Sequence, residues 1–184
     1  MASLANEEAE VFGDGDVDVR DLARRVARLE AIQEIERLKY RYWRACDSKD
    51  PDAFRECFVR EGADIDYGSG LGGFDDREQL VELYSKLALR RDGNRWLYND
   101  IHHGMHPDIE LIDANTAVGS WTFWFMRVNL ADGVVEQASL EYRDRYLVED
   151  GKWKIQSSHV TPLTGVNFPI PEGANVAPGP AVPK

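Results

Sequence analysis

Ile32-Gln33-Glu34-Ile35-Glu36-Arg37-Leu38-Lys39-Tyr40-Arg41-Tyr42-Trp43-Arg44-Ala45-Cys46-Asp47 is the stretch on which the reading of this chain turns. Ile32, Ile35, Leu38, Tyr42 and Ala45 recur every three or four residues. With Val26 and Leu29 upstream they make one apolar stripe of a long helix that starts near Asp21 and stops near Asp47. Downstream, Asp50-Pro51 has the form of an N-cap followed by proline at the first helical position, so a short second helix should carry Phe54 and Phe58. Ala63, Ile65 and Tyr67 alternate as in a strand. Asp75 with Glu78 resembles a capping box for a third helix, with Leu80, Leu83 and Leu87 on its apolar side. The glycine loop between these, 68–73, lacks the Lys-Ser/Thr ending of one phosphate-binding class and the βαβ setting of the other.

The chain then changes period. Strands are expected at 97–105, 107–112, 116–129, 135–148 and 152–161, separated by turns at Asp113-Ala114-Asn115, Ala131-Asp132-Gly133 and Glu149-Asp150-Gly151. Ser120-Trp121-Thr122-Phe123-Trp124-Phe125-Met126 is apolar on both faces, as a strand between helices on one side and a cavity or a neighbouring subunit on the other would be. Six prolines follow (Pro162, Pro169, Pro171, Pro178, Pro180 and Pro183), which argues against helix or central strand there. Helices first and antiparallel strands after define an α+β class, with a bent sheet folded over helices to enclose a pocket.

At 184 residues one domain is expected. A formal net charge of -11 repels phosphate backbones and anionic lipid, so neither nucleic acid nor membrane is an expected partner. The N-terminus MASLANEEAEVF lacks a basic start and an apolar run, and no stretch approaches the ~20 apolar residues of a membrane helix. The expected location is the cytoplasm. Residues 1–18 are acidic, without period, and expected to be disordered and dispensable. Cys46 and Cys57 have no CxxC or Cys/His partner and read as reduced, buried thiols.

Four histidines could carry chemistry: His102, His103, His106 and His159. A strand puts 102, 104 and 106 on one face. Pairing His102 with His106 gives only two metal ligands with no third in spacing, so no metal is expected. A surface cluster or a core histidine is the plainer alternative. Asp47 ends the helix stripe, where the helix dipole disfavours a carboxylate. It is either an Asx turn into Ser48-Lys49-Asp50-Pro51 or a carboxylate that orients a histidine base.

The stretch Ile32–Asp47 also resembles the opening helix of the SnoaL-like (nuclear-transport-factor-2-like) enzymes, among them scytalone dehydratase, bile-acid dehydratase and hexachlorocyclohexane dehydrochlorinase. The resemblance covers about residues 21 to 175 and implies a cone-shaped α+β barrel, N-terminal helices on a strongly curved mixed or antiparallel sheet. It divides the chain into a tail at 1–18, the domain at 19–165 and a proline-rich tail at 166–184. In that family the aspartate ending this helix pairs with a histidine on a central strand. Asn99-Asp100-Ile101-His102-His103-Gly104 is the matching strand, so the resemblance puts Asp47 and His102 in those places. Tyr42 and Tyr67 fall where the dehydratases place tyrosines facing the substrate. Thr161 to Phe168 resembles the dehydrochlorinase segment that covers the pocket and joins subunits, which implies a homo-oligomer, trimer before dimer. Two features depart from the family. No arginine stands around His159 to Pro162, where the bile-acid enzyme has one, and no histidine stands between His106 and His159, where scytalone dehydratase has a second. His159 is the candidate to substitute.

The expected function is therefore a cofactor-independent lyase of the dehydratase type, acting on a small hydrophobic, aromatic or polycyclic hydroxylated substrate. His102 is its base, Asp47 orients and charges that base, and Tyr42 or Tyr67 donates to the leaving oxygen. Trp96, Trp121, Phe123, Phe125 and His159 complete the expected substrate contacts. The same base could instead run an isomerisation, a cyclisation or a retro-aldol cleavage, and a module that only binds small molecules is the alternative outside enzymes.

Overall fold

The computed structural model describes residues 18–68 and 72–182, and the chain divides into two compact units, Met1–Ala31 and Ile32–Lys184. The expected disordered segment lies, up to residue 17, outside the described residues, as does the middle of the glycine loop. Among the described residues no helix is long and apolar enough to cross a membrane.

Helix α1 (Val19–Ser48) begins in the first unit. Within that unit Val26 and Leu29 of the expected stripe are exposed. With Val19 and Leu22, also exposed, they form a narrow apolar stripe flanked by Arg24, Arg25, Arg28 and Glu30, and Arg24 pairs with Asp21 at 3.2 Å. In the second unit the stripe becomes core, with Ile35, Leu38, Tyr42, Trp43, Ala45 and Cys46 buried.

Helix α2 (Pro51–Arg55) starts as the sequence implies: Asp50 accepts from the N–H groups of Asp52 and Ala53 at 3.1 and 2.9 Å, and Pro51 occupies the first turn. Phe58 falls beyond it and bridges to Ile155. Helix α3 (Arg77–Ala88) is capped one residue later than expected. Asp76, not Asp75, has the extended backbone an N-cap needs, and it accepts from the N–H of Glu78 at 2.8 Å.

The strands are β1 (Asp64–Asp66), β2 (Gly73–Phe74), the short pair β3 (Arg91–Asp92) and β4 (Arg95–Trp96), and the long β5 (Tyr98–Leu111), β6 (Thr116–Asn129), β7 (Val134–Glu149) and β8 (Lys152–Pro169). Six of them form one mixed sheet in the order β2-β1-β8-β7-β6-β5, with β1 parallel to β8 and the other pairs antiparallel. This is the expected α+β class, but the sheet keeps two edges, β2 and β5, and so does not close into a barrel.

Two strand expectations need correction. The strands expected at 97–105 and 107–112 are one, β5, interrupted by an irregularity between Met105 and Asp108 where His106 adopts φ 51. A bulge of this kind lets the pairing pass Pro107, which has no N–H for the ladder. The last strand continues past 161 to Pro169. The paired part of β1 covers only Ser157–His159, so from Val160 onward one side of β8 is open and proline is tolerated there as on any edge.

The sheet face toward α1 is read off the register. His102, Phe125 and Ala138 lie side by side across β5, β6 and β7, as do Gly104, Phe123 and Leu140. Trp43 of α1 stacks on Phe123 at 5.8 Å and meets Trp121 edge-on at 5.2 Å. Within the apolar run, Trp121 and Phe123 are buried, while Trp124 and Met126, on the opposite face, are half-buried.

Gly104 makes this packing possible. A Cβ there would stand 1.8 Å from Cη2 of the Trp43 ring. The ring cannot retreat, because Trp121, Phe123 and Tyr142 surround it. Gly104→Ala is therefore expected to destabilise the fold by about 1–3 kcal/mol, read from urea unfolding midpoints. An unchanged midpoint would show that the indole can shift freely.

Candidate active site

The end of α1 grips β5 at two points. Helix α1 stops at Ser48, and Lys49 takes the left-handed conformation (φ 63) that turns the chain. Asp47 then reaches His102: its Oδ1 lies 2.5 Å from Nδ1, and its Oδ2 accepts from the backbone N–H of the same residue at 3.3 Å. Lys49 reaches two residues along the strand, donating to Asp100 Oδ2 at 2.9 Å. Both partners are on one face of β5, as the two-residue strand period requires. The bonds to His102 account for a carboxylate at a helix C-terminus, where the dipole opposes it. A carboxylate only accepts, so Nδ1 carries the proton of the neutral ring and Nε2 keeps the lone pair.

His102 stands in the wall of a cavity of about 310 Å³. Tyr42, Tyr67, Phe123 and Phe125 share that wall. Asp47 is not part of it. It lies behind the histidine, in an outer groove with Tyr40, Arg44 and Trp124 that His102 also borders. The hydroxyls of Tyr42 and Tyr67 are 2.8 Å apart. Burial, more than any neighbouring charge, pushes both phenols well above the usual range, so both remain protonated donors. Tyr84 also lines the cavity, but its hydroxyl is within 3.2 and 3.3 Å of the carbonyls of Ala45 and Cys46 at the end of α1. The Cys46 thiol in the same wall is pushed well above its usual range by burial first and by Asp47 next, and stays neutral.

Three expected contacts lie elsewhere. Trp96 is buried with its indole N–H donating to the Pro180 carbonyl at 2.9 Å, so it anchors the C-terminal segment. Trp121 is packed under α1, its N–H given to the Tyr146 hydroxyl at 2.9 Å. His159 points to the opposite face of the sheet: it pairs in register with Arg143, is half exposed, and has Nε2 3.0 Å from Asp64. Its neighbours Ser158 and Val160 take the inward positions, and Val160 lines the cavity.

Sequence reading missed the charged end of the cavity. Asp100 and Arg127 both line it, facing each other across β5 and β6. Arg127 Nε donates to Asp100 Oδ1 at 2.7 Å. Burial alone would raise the Asp100 pKa, but the charges of Arg127 and Lys49 outweigh it and hold the carboxyl below its usual range. The signal was present: Arg127 has the same strand parity as Phe123 and Phe125, and Asp100 the same as His102.

The SnoaL-like domain model matches residues 27–159. No curated protein matches the chain. Among solved structures, a candidate scytalone dehydratase from Novosphingobium aromaticivorans superposes with TM-score 0.68 at 14% identity, over 86% of this chain and 97% of that one. A type 3 hexachlorocyclohexane dehydrochlorinase from Novosphingobium barchaimii gives 0.66 at 16%, over 83% and 98%. ActVI-ORFA from Streptomyces coelicolor gives 0.57 at 14%, over 71% and 95%. At such identities the structures speak for the fold, and the domain match, over most of the chain, speaks for the family: this protein belongs to the SnoaL-like domain family.

Proposed function

We propose that the chain is a cofactor-independent lyase that removes a proton from a small hydrophobic molecule and expels a β-leaving group, water in the first instance. The observation that carries this reading is the Asp47–His102 pair at 2.5 Å, with His102 in the wall of a cavity lined by aromatic and aliphatic side chains and Asp47 behind it. Nε2 of His102 is the base. Asp47 holds the tautomer and stabilises the imidazolium that forms. Tyr42 and Tyr67 are kept protonated by burial; one hydroxyl donates to the other across their 2.8 Å contact, and the one whose proton is left free donates to the departing oxygen. The dehydratase and dehydrochlorinase among the structural neighbours are enzymes of this reaction type by name, which supports the choice of elimination.

At about 310 Å³ the cavity sits at the low end for small-molecule sites, which favours one or two rings over a polycyclic substrate. Assembly into an oligomer, trimer before dimer, belongs to the same proposal. Its motive is the outer sheet face, where Ile101, Met105, Val166 and Phe168 are exposed. The test of function is a panel of hydroxylated one- and two-ring compounds incubated with the protein and followed by mass spectrometry. Loss of water from at least one compound is expected. Isomerisation or release of a one-carbon fragment would reassign the reaction while keeping the base, and no turnover across the panel would favour a binding module.

A further inference from the structure

We infer that Arg127 receives the oxygen of an enolisable carbonyl, so that the substrate is a neutral ketone or ester whose acidic C–H lies on the carbon beside that carbonyl. This rests on His102 being the base of the same cavity.

The argument begins with placement. His102 pairs with Phe125 and Asp100 with Arg127, so Arg127 is the diagonal neighbour of His102 on the inward face. Sheet geometry separates such positions by roughly 7–8 Å. A carbonyl group can span that gap, with its α carbon at the imidazole and its oxygen at the guanidinium. Arg127 is also held in place. Nε donates to Asp100, Nη1 lies 3.6 Å from Glu136, and the guanidinium sits over the rings of Phe125 at 5.1 Å and Tyr98 at 5.3 Å. A guanidinium has five N–H donors, and among the described residues no hydrogen bond uses Nη2. Arg127 lines the cavity with His102, which puts a held guanidinium within the same space as the base.

Charge selects a neutral substrate. At this end of the cavity Arg127 and Lys49 are balanced by Asp100 and Glu136, and Asp47 adds a negative charge behind His102. A substrate carboxylate would carry its full charge before the proton leaves, so its attraction to Arg127 would be spent in the ground state and would not grow in the transition state. A neutral carbonyl gains most, because its oxygen becomes negative only as the proton leaves, and interactions that grow in the transition state are those that accelerate the step. In that step Nε2 takes the α proton, the C–H pair becomes the enolate double bond, and the carbonyl π pair moves to the oxygen held by Arg127. The enolate then re-forms the carbonyl, its pair makes the new carbon–carbon double bond, the β C–O bond breaks, and the leaving hydroxide takes the imidazolium proton as water.

The probe is p-nitrophenol, whose phenolate mimics a planar enolate and reports its ionisation by visible absorption. The control is p-nitroanisole, which has the same ring and no ionisable oxygen. Wild-type protein is expected to bind the phenolate form preferentially. Arg127→Met is expected to lower the ratio of p-nitrophenolate to p-nitroanisole affinity by about tenfold or more, the weight of a charge-assisted hydrogen bond. Should the methionine variant lose p-nitroanisole as well, and with it the cavity, Arg127→Gln decides by the same ratio, since its amide can still donate to Asp100. An unchanged ratio in the variant that keeps p-nitroanisole overturns the inference, and so does a wild type that prefers p-nitroanisole. His102→Gln separates the two claims. It is expected to leave the ratio within about threefold while abolishing turnover of the compound found in the panel. Retained turnover there would sink the base and leave the ratio to judge Arg127.

Discussion

Replacing His102 with alanine is expected to lower turnover by about a hundred- to ten-thousandfold, the usual weight of a positioned general base. Asp47→Asn should cost about a hundredfold or more. The amide can still approach Nδ1, but it cannot offset the charge that forms on the ring, and its NH₂ group can favour the wrong tautomer. Neither side chain is deep core: that of His102 is 13% exposed and that of Asp47 28%. Melting temperatures should therefore move by only a few degrees. The two variants combined should be hardly worse than His102→Ala alone, because a dyad acts as a unit. The measurement is steady-state turnover beside a thermal melt for each variant. If both keep turnover while the melting temperature falls, the 2.5 Å contact is a structural hydrogen bond that ties the end of α1 to β5, and the proposed elimination loses its base.

Much of this site was legible before the structure, for reasons that differ from residue to residue. Asp47, His102, Tyr42 and Tyr67 were singled out by the resemblance to the SnoaL-like enzymes, while the helix stripe of period 3.6 and strand parity bear only on which side chains look inward, Phe123 and Phe125 among them. Trp96 and Trp121 show the limit of that logic. Parity and hydrophobicity say that a side chain is buried, not whether it meets a cavity or another side chain, and both indoles spend their N–H groups on partners that no pattern announces. His159 was misplaced because it was chosen for its chemistry. The inward positions around it belong to Ser158 and Val160. Asp100, Lys49 and Arg127 were passed over because charged residues are ordinarily solvated, whether in a strand or in a turn. Only the three-dimensional meeting of the αL turn at Lys49 with β5 and β6 makes them a buried cluster.

Lys39 is the clearest case of a residue that sequence alone would put in water. It falls on the apolar side of α1 and is fully buried, with Nζ 2.8 Å from Asp144 Oδ2 and 4.0 Å from the centre of the Tyr142 ring. Burial pulls its pKa down and Asp144 pushes it back up, and the net direction is down. Tyr146 donates to the same Asp144 oxygen at 2.7 Å, and Trp121 donates to Tyr146, so the pair is the root of a chain of polar contacts beneath the sheet. Lys39→Met removes the cation and leaves a buried carboxylate facing aromatic rings. That change is expected to destabilise the fold by about 3–5 kcal/mol, the cost of breaking a buried pair from one side. The double variant Lys39→Met/Asp144→Leu removes both charges and should recover most of that loss, because the cost of desolvating two ions disappears with them. The single and double variants thus form a cycle whose coupling term is large and opposite in sign to simple additivity. Urea unfolding of the four proteins measures it. If Lys39→Met alone costs under about 1 kcal/mol, water or a proton on Asp144 is compensating the lost charge, and the pair is a replaceable filler of the core rather than its electrostatic anchor.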